Sequence, residues 1–126
     1  MGHEDAYFLI LDDEESIRQS IAAYMEDEGF LVFQAGSGEE ALEIIKKEPI
    51  EMAVVDIRLP GMDGNTFMVE ARQVRPDIRF VIHTGSADYT LPKKVRALGL
   101  GMENVLIKPT QDLQVIVAAL TGPDAR

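Results

Sequence analysis

Short apolar runs alternate with longer amphipathic stretches along the chain, and this alternation limits the possible folds more than any other feature. The runs at residues 6–11, 30–34, 50–55, 79–83 and 104–107 are short and nearly continuous, which indicates strands buried on both faces. Apolar residues at helical spacing follow each run. Strands that alternate with helices form parallel sheets with right-handed crossovers. The sequence therefore predicts an α/β fold, a doubly wound (βα)5 sheet.

Capping and breaking residues predict where the helices begin and end. Gly29 is expected to end the first helix, and the SGEE segment at 37–40 is a capping box that opens the second. A third helix is predicted at 63–74 and a fourth at 91–98, with Pro92 in its first turn. Thr110 is expected to cap the last helix. The predicted buried stripe of that helix is Leu113, Ile116, Val117 and Leu120.

Length and composition restrict the class of protein. The chain of 126 residues fits one domain, 1–126, with a core from about residue 6 to residue 121. Its net charge of -10 disfavours direct binding of nucleic acid. It has no Cys, which excludes thiolate chemistry and agrees with a reducing compartment. Because no apolar run is long enough for a signal sequence or a membrane span, we expect a cytoplasmic protein.

Polar side chains follow four of the predicted strands at the point where each strand ends. The first strand is followed by DDEE at 12–15, the third by Asp56, the fourth by Thr84, and the fifth by Lys108 and Pro109. Ligands of doubly wound sheets bind outside the carboxyl ends of the strands. We therefore expect these residues to share one site.

Carboxylates crowded at one edge of a sheet need a cation. Two unit charges about 4 Å apart repel by about 4 kcal/mol at an effective dielectric near 20. Mg²⁺ suits an all-oxygen site and often takes some of its oxygens from a phosphate. Asp56 could then attack phosphorus without a general base, while Lys108 and the Thr84 hydroxyl bind phosphoryl oxygens.

The segments LILDDEES, VVDIRLPGMDG, HTGSAD and LIKP resemble the signature stretches of CheY-like receiver domains of two-component response regulators. The resemblance implies a flavodoxin-like strand order of 2-1-3-4-5. It implies metal binding by Asp12 and Asp13, and by Asp56, which would also accept the phosphoryl group. It further implies a metal contact from the Arg58 main-chain carbonyl, a switch hydroxyl at Thr84, a phosphate-binding amine at Lys108 and a cis bond before Pro109.

What the resemblance implies about function is a signalling step with Mg²⁺ as cofactor. Asp56 would receive a phosphoryl group from the phosphohistidine of a sensor histidine kinase or phosphotransfer protein. The chain would assist its own phosphorylation and dephosphorylation without being a turnover enzyme. Its surface would then change toward a downstream protein target or a missing output domain, because the chain is either free-standing or a piece of a larger regulator.

Other interpretations of the same residues remain open. Asp12 and Asp13 could cap a helix, Lys108 and Thr84 could be ordinary residues at strand ends, and His83 is more typical of a strand than of a ligand. A phosphatase that resembles DxDx[TV] enzymes would need an acid where Arg58 stands. A nucleotide or flavin binder would not place DDEE in its first loop. A pseudo-receiver would use the fold for protein binding alone.

Val105 departs from the family pattern, which often has Tyr or Phe three residues before the phosphate-binding lysine. Valine is short and restricted at χ1, so it cannot swing between pockets. We therefore expect phosphorylation to reshape mainly the loop at 85–91 and the helix after it, with little response at Val105 or in the last helix.

Overall fold

A computed structural model describes residues 6–109 and 113–121, which form a parallel sheet of five strands with helices on both faces. The strand order β2-β1-β3-β4-β5 confirms the flavodoxin-like topology that the resemblance implied. The strands are β1 (Tyr7–Leu11), β2 (Leu31–Ala35), β3 (Met52–Val55), β4 (Arg79–Thr84) and β5 (Val105–Ile107). The helices are α1 (Glu15–Asp27), α2 (Gly38–Lys47), α3 (Gly64–Val74), α4 (Lys93–Arg96) and α5 (Gln114–Thr121).

The core lies in two layers, one on each face of the sheet. On one face, alternate residues of β1 and β3 pack against α2, α3 and α4, and on the other face the intervening residues pack against α1 and α5. Leu9 and Leu11 belong to the first layer and Phe8 and Ile10 to the second, and all four are fully buried. β1 and β3 are therefore apolar along their length, because helices cover both of their faces.

Local sequence signals explain most of the helix ends. Gly29, with φ of 98°, follows α1, and the N–H groups of Gly29 and Phe30 donate to the carbonyls of Glu26 and Met25. This is the Schellman pattern that a C-terminal glycine permits. The Ser37 hydroxyl accepts a hydrogen bond from Glu40 N at the start of α2, whereas the Glu40 carboxylate accepts from Gly36 N.

The fourth helix is much shorter than predicted. The sequence indicated residues 91–98, but α4 contains only Lys93–Arg96. Pro92 has extended backbone, with ψ of 158°, and a residue that precedes proline avoids helical geometry, so Leu91 cannot join the helix. After Arg96 the chain closes in turns, in which Gly99 N donates to Arg96 O, and Gly99 has φ of 96°.

Other boundaries differ by one or two residues from the predictions. β2 begins at Leu31 because Phe30 completes the turn after α1, and Asn104 lies in a 3-10 turn before β5. In α5, Ile116 and Val117 are buried as predicted. The predicted cap at Thr110 and the side chain of Leu120 lie outside the described residues. Among residues 6–109 and 113–121, no helix is long and apolar enough to cross a membrane.

Candidate phosphoryl and metal site

The register of the central strands places two carboxylates side by side. Leu11 pairs with Val55, so the next residues, Asp12 and Asp56, leave the sheet together, and Asp56 N donates to Leu11 O at 2.9 Å. Asp12 and Asp56 are 2% and 5% exposed, whereas Asp13 is exposed. One carboxylate oxygen from each of these three residues lies within 4.8 Å of the others. The structure therefore brings together the three acids that the sequence predicted as a metal site.

The loop between β1 and α1 fixes Asp12 through its own backbone. Asp12 Oδ1 accepts a hydrogen bond from Glu14 N at 2.9 Å, and Arg18 donates to the Asp12 carbonyl at 2.7 Å. One oxygen of Asp12 thus closes a turn onto Glu14, the residue before α1, and among the described residues no side-chain hydrogen bond caps this helix. The other oxygen, Oδ2, faces Lys108. The turn and the contact with Lys108 together fix the orientation of the Asp12 carboxylate.

Lys108 enters the acid cluster from the end of β5. Its ammonium nitrogen lies 2.8 Å from Asp12 Oδ2, 3.2 Å from Asp56 Oδ2 and 3.5 Å from Glu14 Oε1. The backbone holds this position, because Lys108 N donates to Thr84 O at 2.8 Å. The Lys108–Pro109 bond is cis, as the resemblance implied. Glu14 is a contact that sequence reasoning missed, although it belongs to the DDEE run.

The electrostatics of the site reflect three acids around one amine. Burial raises the pKa of the Asp56 carboxyl, the charge of Asp12 raises it further, and Lys108 acts in the opposite direction. Burial lowers the pKa of Lys108, but the hydrogen bonds and charges of Asp12 and Asp56 outweigh burial and raise it overall. Lys108 therefore stays charged at neutral pH, whereas the negative form of Asp56 is disfavoured, and a further cation beside Asp56 would stabilise that form.

An open cleft of about 370 Å³ lies above these residues. Thr84 is 1% exposed, and its hydroxyl oxygen accepts a hydrogen bond from Ser86 N at 3.1 Å. Arg58 is exposed at the rim of the cleft. The residues that line it are Asp13, Glu14, Asp56, Arg58, Thr84, Gly85, Ser86 and Lys108. The cleft is large enough for a phosphoryl group, and most of the predicted site residues line it, whereas Asp12 does not.

Gly64 packs against the backbone of Asp56, the phosphoacceptor candidate, and sequence reasoning missed this contact. Its N–H donates to Ile57 O at 2.9 Å, so the β3–α3 loop folds back onto the end of β3. A Cβ at position 64 would overlap the Asp56 carbonyl oxygen and lie 2.9 Å from Ile57 Cα. Only glycine lets α3 begin this close to Asp56.

The donor set fits a hard divalent cation. Carboxylate oxygens are the ligands that Mg²⁺ and Ca²⁺ prefer, and both ions take their remaining ligands from water, carbonyls or phosphate. The chain supplies three such carboxylates at an open cleft, and the carbonyl of Arg58 is the fourth oxygen that the resemblance implies.

Comparisons with known proteins agree with this geometry. The sequence model of the response regulator receiver domain family matches residues 8–121. The transcriptional regulatory protein GlrR of Escherichia coli is 30% identical over 109 residues, which is 86% of this chain and 24% of that protein. The sporulation initiation phosphotransferase F of Bacillus subtilis is 32% identical over 91 residues, which is 72% of this chain and 73% of that protein.

A solved structure resembles the whole fold. It is a response regulator protein of Burkholderia pseudomallei with a phosphorylated aspartic acid, a calcium ion and citrate. Its TM-score is 0.82 at 30% identity, over 94% of this chain and 68% of that one. The chain spans about a quarter of the length of GlrR, so these likenesses concern one part of the longer regulators.

Proposed function

Because the chain belongs to the response regulator receiver domain family, we propose that Asp56 accepts a phosphoryl group from the phosphohistidine of a sensor histidine kinase or phosphotransfer protein, with Mg²⁺ as cofactor. Receiver domains are phosphoacceptor signalling domains of two-component systems and not classical enzymes. The observation that carries the proposal is the meeting of Asp12, Asp13, Asp56 and Lys108 at the carboxyl ends of three strands.

Each residue has a role that its chemistry supports. An Asp56 carboxylate oxygen attacks phosphorus, the bond from phosphorus to the imidazole nitrogen of the donor breaks, and the imidazole leaves with that electron pair. The Lys108 ammonium group binds a phosphoryl oxygen, because it already lies 3.2 Å from Asp56 Oδ2. Thr84 donates its hydroxyl hydrogen to another phosphoryl oxygen, since Thr84 lines the same cleft.

The proposed metal ligands are the carboxylates of Asp12, Asp13 and Asp56 and the carbonyl of Arg58. When bound, Mg²⁺ offsets the repulsion between these carboxylates and the incoming phosphoryl group. Support for a divalent ion comes from the acid cluster and from the calcium ion beside phosphoaspartate in the Burkholderia pseudomallei protein. In this arrangement Lys108 leaves Asp12 and turns toward the phosphoryl oxygens.

The proposed output is a change of protein-binding surface. The phosphoryl group on Asp56 carries about -1.5 to -2 charges in place of the carboxylate charge, and Lys108 and Thr84 bind its oxygens. These contacts favour a conformation in which the 85–91 loop has moved. The recipient is a downstream protein or an output domain, in keeping with the greater length of regulators such as GlrR. We propose that the chain acts in the cytoplasm as a single receiver module and, with a net charge of -10, does not bind nucleic acid directly.

Phosphate mapping tests the proposal. The protein is incubated with Mg²⁺ and a small phosphodonor, and mass spectrometry locates the added phosphate. We expect one phosphate on Asp56, and none on Asp56→Asn, which retains the shape of the side chain without its nucleophilic oxygen. Asp88→Asn is the matched control, since Asp88 is an exposed acid on the neighbouring β4–α4 loop. Undiminished labelling of a folded Asp56→Asn protein would refute the assignment.

A further inference from the structure

Three side-chain hydrogen bonds attach the segment that follows β4 to helix α3. The Tyr89 hydroxyl donates to Asn65 Oδ1 at 2.7 Å, and Lys94 donates to Thr66 Oγ1 at 3.1 Å. At the far end of the segment, the Arg72 guanidinium donates to the carbonyl of Leu98 at 2.9 Å. The segment 85–98 is therefore held to α3 at its beginning, middle and end.

This segment depends on those bonds because it has little regular structure of its own. α4 is a single turn of four residues, and helices this short are unstable unless tertiary contacts hold them. Leu91 and Val95 are buried, but the bonds from Tyr89 and Lys94 that hold the first part and the middle of the segment are polar. Its position can therefore change when one polar contact is lost, without unfolding of the sheet.

The Tyr89–Asn65 bond lies closest to the phosphoryl site and connects its two sides. On one side, Thr84 Oγ1 accepts from Ser86 N, and Ser86 O accepts from Tyr89 N at 3.1 Å. On the other side, Asn65 follows Gly64, the residue that packs against the Asp56 carbonyl. Movement of the Thr84 hydroxyl toward a phosphoryl group on Asp56 therefore pulls on Tyr89 through a turn of a few residues.

The environment of this bond makes it a firm contact. Asn65 is only 9% exposed, and Tyr89 is partly buried against the core beside α3. Burial raises the pKa of the Tyr89 phenol, and the charge of Asp63 raises it further, so the hydroxyl stays a donor at neutral pH. Breaking the bond takes the Tyr89 hydroxyl away from Asn65 Oδ1, an acceptor on a nearly buried side chain, and this costs free energy.

We propose that the Tyr89–Asn65 bond is a latch that holds the 85–91 loop against α3 in the unphosphorylated protein and opens on phosphorylation. In the unphosphorylated protein, the strength of this bond sets the fraction of molecules that adopt the conformation typical of the phosphorylated state. This inference rests on the proposed function, because it takes phosphorylation of Asp56 as the event that opens the latch.

The test uses Tyr89→Phe, which removes only the hydroxyl, and a titration with beryllofluoride and Mg²⁺ as a phosphoryl mimic, followed by NMR. We expect binding to become about 2- to 10-fold tighter, the factor that loss of one net hydrogen bond in the unliganded state allows. In the Tyr89→Phe variant without the mimic, the amide resonances of residues 85–98 should be shifted toward the positions that they have in the wild type with the mimic bound. Tyr7→Phe is the control, because Tyr7 begins β1 and lies at the end of the strand away from Asp12, and this variant should change neither measurement.

A double-mutant cycle makes the result specific to the bond. Asn65→Ala should also tighten binding, and adding Tyr89→Phe to it should have no further effect. A lower melting temperature with unchanged affinity, or weaker binding in either variant, overturns the latch. A folded wild type that does not bind the mimic overturns the proposed function and the latch together, whereas normal wild-type binding with unresponsive variants overturns the latch alone.

Discussion

The Lys108 ammonium nitrogen lies 2.8 Å from Asp12 Oδ2, although β5 and β1 are separated in the sheet by β4 and β3. The lysine side chain therefore crosses the carboxyl ends of two strands to reach its partner. It also contacts Asp56, which ends one of the strands it crosses, at 3.2 Å. A single amine thus neutralises carboxylates that would otherwise repel each other across the site.

Removing that amine should destabilise the metal-free protein and increase its response to metal. We expect Lys108→Met to lower the free energy of unfolding in chelator by about 3 kcal/mol, because two buried carboxylates lose their partner. Magnesium should then stabilise the variant more than the wild type. Urea denaturation with and without Mg²⁺ measures both effects. Lys46→Met is the matched control, because its pair with Glu43 is exposed and contributes little.

An equal loss of stability in the Lys46 and Lys108 variants would contradict the role assigned to Lys108. So would a Lys108→Met protein that gains no more from Mg²⁺ than the wild type does. The two comparisons are independent, since the first concerns the ion pairs of the metal-free protein and the second concerns the carboxylates left for the metal.

Asp13→Asn should stabilise the metal-free protein while weakening Mg²⁺ binding. Asp13 contributes an oxygen within 4.8 Å of those of Asp12 and Asp56, and at an exposed position this repulsion costs about 1 kcal/mol. Thermal melts in chelator should show a higher midpoint for the variant, and calorimetric titration should show lower affinity for Mg²⁺. Glu51→Gln removes an exposed acid at the opposite end of β3 and should alter neither. A melting midpoint indifferent to Mg²⁺ in the wild type would count against the metal site.

Gly64→Ala should be destabilising even though alanine is the better helix former. Helix propensity alone would favour alanine by about 1 kcal/mol, but its Cβ would lie 2.9 Å from Ile57 Cα and overlap the Asp56 carbonyl. We expect a net loss of about 2 kcal/mol, as in other overpacked sites. Gly85→Ala is the control, since a Cβ there meets nothing within 4 Å. Equal urea midpoints for the two variants would show that α3 can move away from Asp56.

His83 should make the protein less stable as the pH falls from 6.5 toward 4. Burial lowers its pKa from 6.5 to about 4, the charge of Lys108 also lowers it, and Asp12 raises it in part. Between pH 6.5 and pH 4 the unfolded chain therefore protonates His83, whereas the folded chain keeps it neutral. The contribution of His83 to the free energy of unfolding is present above pH 6.5 and is lost as the pH falls through this range. Asp56 acts oppositely, since its raised pKa favours the folded protein at low pH.

Urea denaturation of the wild type and of His83→Gln, from about pH 7 to about pH 5, separates the contribution of His83 from that of Asp56. A single titrating group changes the free energy of unfolding by at most about 1.4 kcal/mol per pH unit. We expect the wild type to lose more stability than the variant over this range. Parallel loss in both proteins would mean that His83 does not titrate as its burial requires.

The sequence predicted the parts of the fold that depend on local patterns, that is, on residues close to each other in the chain. Apolar runs gave the five strands, and Asp12, Asp56 and Lys108 could be assigned to one edge because parallel strands all end there. The length of α4 could not be predicted so well, because its apolar residues fit a longer helix while Pro92 and Gly99 limit it to one turn. Contacts such as Tyr89 with Asn65 join residues 24 positions apart and have no local signal.

The behaviour of Val105 stays a prediction. Its side chain is partly buried and packs on the same core layer as Tyr89, which agrees with a residue that fills space. The NMR titration that tests the latch also tests this point. Large shifts at Val105 and along α5, equal to those of the 85–91 loop, would contradict the expectation that the loop carries the response.

The pairing of Leu11 with Val55 also sets the distance between the residues that follow them, Asp12 and Asp56, which are two of the proposed metal ligands. Neighbouring strands lie about 4.8 Å apart in any hydrogen-bonded sheet, and this spacing does not depend on side chains. The separation of Asp12 and Asp56 at their backbone is therefore set by peptide hydrogen bonds and not by loop sequence. Substitutions in the loops at 58–63 or 85–91 can then change the protein-binding surface while the backbone distance between Asp12 and Asp56 stays the same. The surface of the domain can therefore vary without a change in the spacing of these two acids.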